Sequence, residues 1–223
     1  MKAFFTKDFA HFFNELEMNN NKVWFDANRQ RYEEQVKVPF YNFIEALIDE
    51  VSKVDKNLFI DPKSAIFRIH KDVRFSKIKT PYKTHCSALI AKNGRKDMNS
   101  PGFYLELTAA GVAFYSGLYQ PDAKILKSIR TYIMDHQDEF NTLLKDKSFK
   151  KSFGILMGEK SKVLAKEFKE AAMKQPYIFN KQFLMIKKWD IKMLTDKNLV
   201  KEIKTYFENA RAMRAYLYEA SMY

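Results

Sequence analysis

Four short segments decide the fold: SAIFRIH (64–70), THCSALIAK (84–92), GFYLELT (102–108) and VAFYSGLY (112–119). They are rich in β-branched and aromatic residues, and Gly and Pro separate them, which is typical of strands. The later connections are short and favour antiparallel pairing. The sequence therefore predicts a central, mainly antiparallel sheet over about residues 64–120.

The alternation within GFYLELT predicts which side of this sheet is buried. Side chains point to opposite faces at successive strand positions. Phe103, Leu105 and Leu107 therefore share the face that packs on the core, whereas Tyr104 and Glu106 share the second, polar face. We expect a functional site on that polar face.

Helical patterns precede and follow the predicted sheet. We expect Thr6 to cap the first helix, Asp26 to cap the second and Pro39 to interrupt or kink it. Apolar residues then recur at three- and four-residue intervals over 40–51 and again over 199–217. Helices, then a sheet, then helices predict an α+β fold with N-terminal and C-terminal helices around a central sheet.

The composition indicates one folded domain. The chain has 223 residues, of which 46% are hydrophobic, and it has no repeat or long linker, so we expect a single domain over 1–223. Cys86 is its one cysteine, which excludes an internal disulfide and favours a reducing compartment. No apolar run approaches the roughly 20 residues that cross a bilayer. We therefore expect a cytoplasmic protein with no membrane contact.

The net charge of +12 is concentrated in two basic blocks. Residues 63–97 contain 10 basic and 2 acidic side chains, and residues 141–205 contain 16 and 7. The second block is Lys-dominated and mixed with acids on predicted helices. The first block is the denser, and within it lies the run FRIHKDVRFSKIKTPYKTH (67–85). Because buried unpaired cations are costly, its side chains must face water, a carboxylate or an anionic ligand.

This run also resembles the signature of an uncharacterised bacterial family known as domain of unknown function 2461, whose members carry a close variant of FRIxRDVRFSKDKTPYKTH. The sequence departs from that variant at Lys71, where Arg is usual, and at Ile78, where Asp is usual. The resemblance implies a compact α+β fold and no particular activity. It extends to three other segments, NNNKVWFDANRQRYEE (19–34), GFYLEL (102–107) and GLYQP (117–121).

The run predicts an anion site. Arg68 and Arg74 offer fork-shaped donors, lysines add point charge, and Tyr82 can stack on or hydrogen-bond a ligand. In the alternative interpretation, Asp72 pairs with Arg74 or Lys83 and the other cations form a solvated surface. The predicted ligand-binding residues of the run are Arg68, Asp72, Arg74, Ser76, Lys77, Tyr82 and Lys83.

His85 and Glu106 are the predicted catalytic residues. Histidine titrates near neutral pH, and a carboxylate beside cations stays ionised, so the two suit general acid and base roles. Tyr104 lies on the same predicted face and joins the ligand-binding set. A second candidate group, on a predicted helix, consists of Trp24, Asn28, Arg29 and Tyr32, of which the first three are predicted to bind a ligand. The alternative for Trp24 is a packed core residue.

Metal and thiol chemistry are not favoured. His70, Asp72 and His85 have ligand chemistry, but the surrounding positive charge repels a divalent cation, so we predict no metal and no cofactor. Cys86 follows His85 directly on a strand and points to the opposite face, which excludes a thiol–imidazole pair.

Three functions remain open from the sequence. The first is a binding protein or enzyme for a small anionic ligand that carries phosphate or carboxylate. The second is a non-specific nucleic-acid-binding module, in which Phe67, Phe75 and Tyr82 stack on bases. The third is a protein-interaction role for the Lys-rich helices at 141–205. The sequence does not specify an oligomeric state.

Overall fold

The computed structural model describes residues 2–74, 77, 79–96 and 102–223. Its first helix, α1 (Lys7–Met18), begins after Thr6, whose hydroxyl accepts a hydrogen bond from the Asp8 backbone N–H at 3.2 Å. The phenylalanines and Leu16 of α1 are buried. The predicted cap is therefore confirmed.

Helix α2 (Lys22–Ala27) begins earlier than the sequence predicted. Its cap is Asn21, whose side chain accepts a hydrogen bond from the Trp24 N–H at 3.0 Å. Asp26 lies inside the helix and forms an ion pair with Arg29. The prediction of an Asp26 cap was wrong because the polar turn before α2 offers an equally strong capping residue.

A widened, π-helical turn carries the chain past Pro39. Proline has no N–H, so the Gln35 carbonyl lacks its α-helical donor. The Val38 N–H bonds instead to the Glu33 carbonyl, five residues back. The helical path therefore continues through Pro39 with a change of helix type and without the interruption that was one of the two predicted outcomes, and the apolar stripe that follows is buried. The segments are α3 (Arg29–Tyr32), the π-helical turn (Glu33–Lys37) and α4 (Val38–Ser52).

Four antiparallel strands form one sheet in the order β1-β2-β3-β4. Phe103, Leu105 and Leu107 are buried while Tyr104 and Glu106 are partly exposed, which confirms the predicted faces. The strands are β1 (His85–Ile90), β2 (Gly102–Thr108), β3 (Gly111–Leu118) and β4 (Phe183–Asp190). The predicted α+β class with an antiparallel sheet is confirmed.

The observed sheet differs from the predicted one in two segments, the last strand and the first predicted strand. β4 lies beyond the predicted range of 64–120, because its sequence FLMIKKWD mixes apolar residues with lysines among helical patterns. Residues 64–70, predicted as a strand, begin at the end of a short helix, α5 (Pro62–Ala65). They continue as an extended segment in which Ile66 and His70 form isolated β-bridges.

Two glycines of β3 allow the backbone of β4 to approach closely. A Cβ atom on Gly111 would lie 2.1 Å from the Trp189 carbonyl oxygen, and one on Gly117 would lie 2.0 Å from the Phe183 carbonyl oxygen. Both glycines also have positive φ angles, 149° and 115°, which L-residues rarely adopt. Any side chain at these positions would push the two strands apart.

The C-terminal part of the chain is mainly helical. The predicted apolar positions over 199–217 are buried, which confirms that pattern. The helices are α6 (Ala123–Asp135), α7 (Gln137–Lys145), α8 (Lys147–Ser152), α9 (Lys169–Lys174), α10 (Leu199–Asn209) and α11 (Arg211–Met222). No helix in the described ranges is long and apolar enough to cross a membrane.

The chain divides into two compact units. The first consists of Met1–Arg95, Tyr104–Phe114 and Lys188–Lys204, and the second of Lys96–Phe103, Tyr115–Lys187 and Thr205–Tyr223. The first unit has a core rich in phenylalanines from its N-terminal helices, and the second packs residues such as Ile129, Phe140 and Leu217. The single domain over 1–223 stays a prediction. All described candidate site residues lie in the first unit.

Candidate functional site

The basic run folds into an irregular hairpin, here called the basic hairpin, whose arms are 66–71 and 81–88. Antiparallel bridges join Ile66 to Ala88 and His70 to Tyr82. Between them, the Lys83 N–H donates to the Ile69 carbonyl at 2.8 Å. The second arm has more residues between the two bridges than the first, so the ladder is interrupted, as in a β-bulge. The first arm is therefore joined to the second only through isolated bridges and single hydrogen bonds, and it is not the strand that the sequence predicted.

Tyr82 anchors the basic hairpin to the N-terminal helices. Its ring is 4% exposed and stacks on Phe25, with 4.0 Å between centroids. The Asn20 side-chain amide donates to the Tyr82 carbonyl and accepts from its N–H, both at 3.0 Å. Burial raises the pKa of the Tyr82 hydroxyl. The structure thus places the ring predicted to contact a ligand inside the packed part of the hairpin.

His85, Glu106 and Tyr104 meet on the polar face of the sheet. His85 Nε2 lies 3.8 Å from Glu106 Oε2, and the Tyr104 hydroxyl donates to the same oxygen at 3.1 Å. The histidine and glutamate side chains are 27% and 30% exposed. Strand alternation predicted the shared face of Tyr104 and Glu106, and the 3.8 Å between His85 and Glu106 is longer than a hydrogen bond.

Burial lowers the pKa of His85 below its ordinary 6.5, although the Glu106 carboxylate opposes that shift. The positive charges of Lys83 and Lys71 lower it further. The imidazole is therefore neutral at pH 7, which leaves one ring nitrogen able to accept a proton. A neutral histidine beside a carboxylate can exchange protons with a bound molecule.

Lys83 extends this group. Its ammonium lies 5.1 Å from the centre of the Phe67 ring, and that ring meets Tyr104 edge-on at 6.1 Å. Burial lowers the pKa of Lys83, Arg68 lowers it further, and Glu106 acts in the opposite direction. We call Phe67, Lys83, His85, Tyr104 and Glu106 the polar cluster.

At the tip of the hairpin, of which residues 72–74, 77, 79 and 80 are described, opposite charges pair with each other. The Asp72 carboxylate accepts from Arg74 Nε at 2.9 Å and from Nη2 at 2.7 Å. The two hydrogen bonds from Arg74, helped by Arg68, lower the pKa of Asp72 to about 2. This is the Asp72–Arg74 pairing that the alternative interpretation of the sequence expected. The predicted fork of Arg74 is thus already engaged by a carboxylate.

The other described lysines at or near the tip are exposed or donate hydrogen bonds to residues of the same hairpin. Lys77 is exposed, and Lys79 donates to the Val73 carbonyl at 2.9 Å. Lys71, on the first arm, donates to the Thr80 hydroxyl at 2.8 Å. The predicted ligand residue Ser76 lies outside the described residues.

The second candidate group is engaged within its own helices. Asn28 donates to the Trp24 carbonyl at 3.0 Å, and Arg29 lies 2.5 Å from an Asp26 oxygen. Trp24 is partly buried, with its ring 5.5 Å from that of Phe12. These contacts fit the packed alternative for Trp24, and a ligand role for the group stays a prediction.

The sequence did not identify Asn20 as a partner of the hairpin, nor Phe67 as the apolar ring that lies against Lys83. The Asn-rich turn at 19–21 was visible as a polar turn, but its partner in the basic hairpin is 62 residues away. Cys86 is buried and burial raises its pKa, as expected for an inert core thiol. Within the described ranges, no group of three His, Cys, Asp or Glu side chains is arranged to hold a metal.

Comparison with known families gives one match. The model of a family described as "Conserved hypothetical protein (DUF2461)" matches residues 8–216. The chain belongs to this family. The match contains the basic hairpin, the polar cluster and the N-terminal anchor of Tyr82, so the resemblance seen in the run at 67–85 is confirmed over almost the whole chain. Searches of the curated proteins and of the solved structures found no match.

Proposed function

We propose that this DUF2461 protein binds a small phosphate- or carboxylate-bearing ligand at the polar cluster, and that His85 and Glu106 act on it as general acid–base groups. The observation that carries the proposal is the half-buried His85–Glu106 pair beside a half-buried lysine. Perturbed titratable groups with a specific charge partner are typical of functional sites.

The charges around the polar cluster favour an anion. Lys83 belongs to it, and Arg68 and Lys71 are close enough to lower the pKa values of Lys83 and His85 respectively. The Glu106 carboxylate raises the pKa values of both Lys83 and His85 and so opposes these shifts. Positive charge therefore exceeds negative charge at the place where water is partly excluded, and electrostatic attraction is stronger there than at an exposed surface.

The hairpin's aromatic residues support a small ligand more than a nucleic acid. Stacking on bases needs open ring faces. Tyr82 has one face covered by Phe25, and Phe67 lies beneath Lys83. Phe75 lies outside the described residues. The nucleic-acid and protein-interaction functions stay predictions, and the buried free thiol of Cys86 fits the cytoplasmic location that we propose.

Thermal-shift measurements against phosphate, sugar phosphates and organic acids test the proposal. We expect at least one ligand to stabilise the wild type, and we expect Lys83→Ala to lose most of that shift. Lys77→Ala is the matched control, because it removes an exposed cation from the same hairpin. Equal losses in the two variants, or no shift with any ligand, would contradict a site at the polar cluster.

The catalytic part is tested separately once a ligand is found. His85→Gln and Glu106→Gln keep similar side-chain volumes, so we expect ligand affinity to change only a few-fold. Turnover should fall by about 100-fold or more, the usual contribution of a general acid or base. Wild-type binding with no turnover would leave a binding protein and would reject the acid–base roles.

A further inference from the structure

Lys71 and Lys83 are the partly buried cations of the described hairpin residues, whereas Arg68, Arg74 and Lys77 are exposed. Lys71 donates to the Thr80 hydroxyl. The side chain of Lys83 lies over the Phe67 ring instead. Its backbone N–H bonds to the Ile69 carbonyl, which fixes where the side chain leaves the strand. In the part of the chain that the structure describes, no carboxylate lies within ion-pair distance of the Lys83 ammonium. Its charge is therefore not neutralised by a direct partner.

The surroundings of Lys83 disfavour its charged form relative to that of an exposed lysine. Burial and Arg68 lower its pKa, whereas Glu106 and the Cys86 thiol act in the opposite direction with smaller effect. A lysine that is desolvated or placed beside another cation becomes a nucleophile near neutral pH. His85 and Lys71 occupy the same surroundings. The Phe67 ring lies against the Lys83 ammonium, and the His85–Glu106 pair of the polar cluster can carry protons.

We propose that Lys83 forms an imine with a small carbonyl compound that carries a carboxylate or phosphate, an inference that rests on the proposed function. The Lys83 Nζ attacks the carbonyl carbon and forms a carbon–nitrogen bond. The carbonyl oxygen leaves as water together with both amine protons, so no oxidant or reductant is required. His85 and Glu106 carry these protons between nitrogen and oxygen, and Arg68 attracts the anionic group.

Glyoxylate, a small carbonyl-bearing carboxylate, is the probe. The full chain is incubated with glyoxylate and cyanoborohydride, which reduces an imine to a stable amine, and peptide mapping by mass spectrometry locates the adduct. We expect Lys83 to be modified several-fold faster than Lys77 at neutral pH. Lys83→Arg should lose the fast adduct while keeping the charge, and Lys77→Arg should keep it.

Two outcomes would overturn the imine proposal. One is modification spread over the exposed lysines with Lys83 no faster than Lys77, and the other is no adduct on Lys83. Both are read from the wild-type chain, so the test stands even if a variant does not fold. Glycolate, which has a hydroxyl in place of the carbonyl, separates this proposal from anion binding. If glycolate gives a thermal shift but glyoxylate gives no adduct on Lys83, the imine is rejected and the anion site is kept.

Discussion

The tip of the basic hairpin and its base, defined here as Lys83 and His85, both contain charged residues, but in different surroundings. At the tip, Asp72 and Arg74 are 45% and 77% exposed and bind each other. At the base, Lys83 and His85 are partly buried, and burial lowers the pKa of both. One basic run thus contains a screened surface pair at one end and a partly buried pair with lowered pKa values at the other.

Partial burial of the charged groups at the base costs free energy that the exposed tip does not lose. Keeping a lysine and a histidine partly away from water disfavours their charged forms. The opposite side of the hairpin offsets this cost, because Tyr82 is buried against Phe25 and its backbone is held by Asn20. The comparison predicts that changes at this anchor have the largest effects and changes at the tip the smallest.

Removing the anchor ring should have the largest effect. Tyr82→Ala deletes a 4% exposed ring and leaves a cavity beside Phe25, so we expect a loss of about 3–5 kcal/mol in the free energy of unfolding. Urea denaturation measures it. Phe59→Ala is the control, because Phe59 is 72% exposed and its loss should cost little. Similar losses in the two variants would show that Tyr82 does not anchor the hairpin.

Asn20→Ala should have the next largest effect. It removes both side-chain hydrogen bonds to the Tyr82 backbone and leaves part-buried groups without partners, for which we expect about 1–3 kcal/mol. The exposed helix residue Asn42 gives the control, Asn42→Ala, with a change near zero. Hydrogen exchange of the Tyr82 amide should become faster in Asn20→Ala. An unchanged exchange rate would contradict the clamp.

Local patterns in the sequence predicted the faces of the sheet and the position of the basic run, whereas the contrast between tip and base comes from long-range packing. Strand alternation placed Tyr104 and Glu106 on one face, and the clustering of cations identified the hairpin. Periodicity failed for β4, whose pattern is not regular. It could not show that Asn20 binds Tyr82, because that contact joins segments far apart in the chain. Nor could it separate tip from base, since burial depends on neighbours that the sequence does not name.

A smaller effect is expected from the titration of His85. Its pKa in the folded chain is lower than its ordinary 6.5, so the unfolded chain binds a proton first as the pH falls. Wild-type stability should therefore decrease below about pH 6.5, with a slope of at most about 1.4 kcal/mol per pH unit for one proton. His85→Gln should remove this component, and the exposed His11→Gln should not. Parallel pH profiles for wild type and His85→Gln would contradict the burial of a neutral imidazole.

The smallest effect is expected at the tip. The pKa of Asp72 is lowered to about 2, so its pairing with Arg74 stabilises the fold above about pH 4 and is lost as the pH falls toward 2. Because both side chains are exposed, water and salt screen the pair. Asp72→Asn should leave the urea midpoint at pH 7 unchanged within error at physiological salt, and should leave ligand shifts at the polar cluster intact. A clear loss of stability or of ligand binding in Asp72→Asn would mean that the tip and the base are energetically coupled, and the contrast drawn between them would fail.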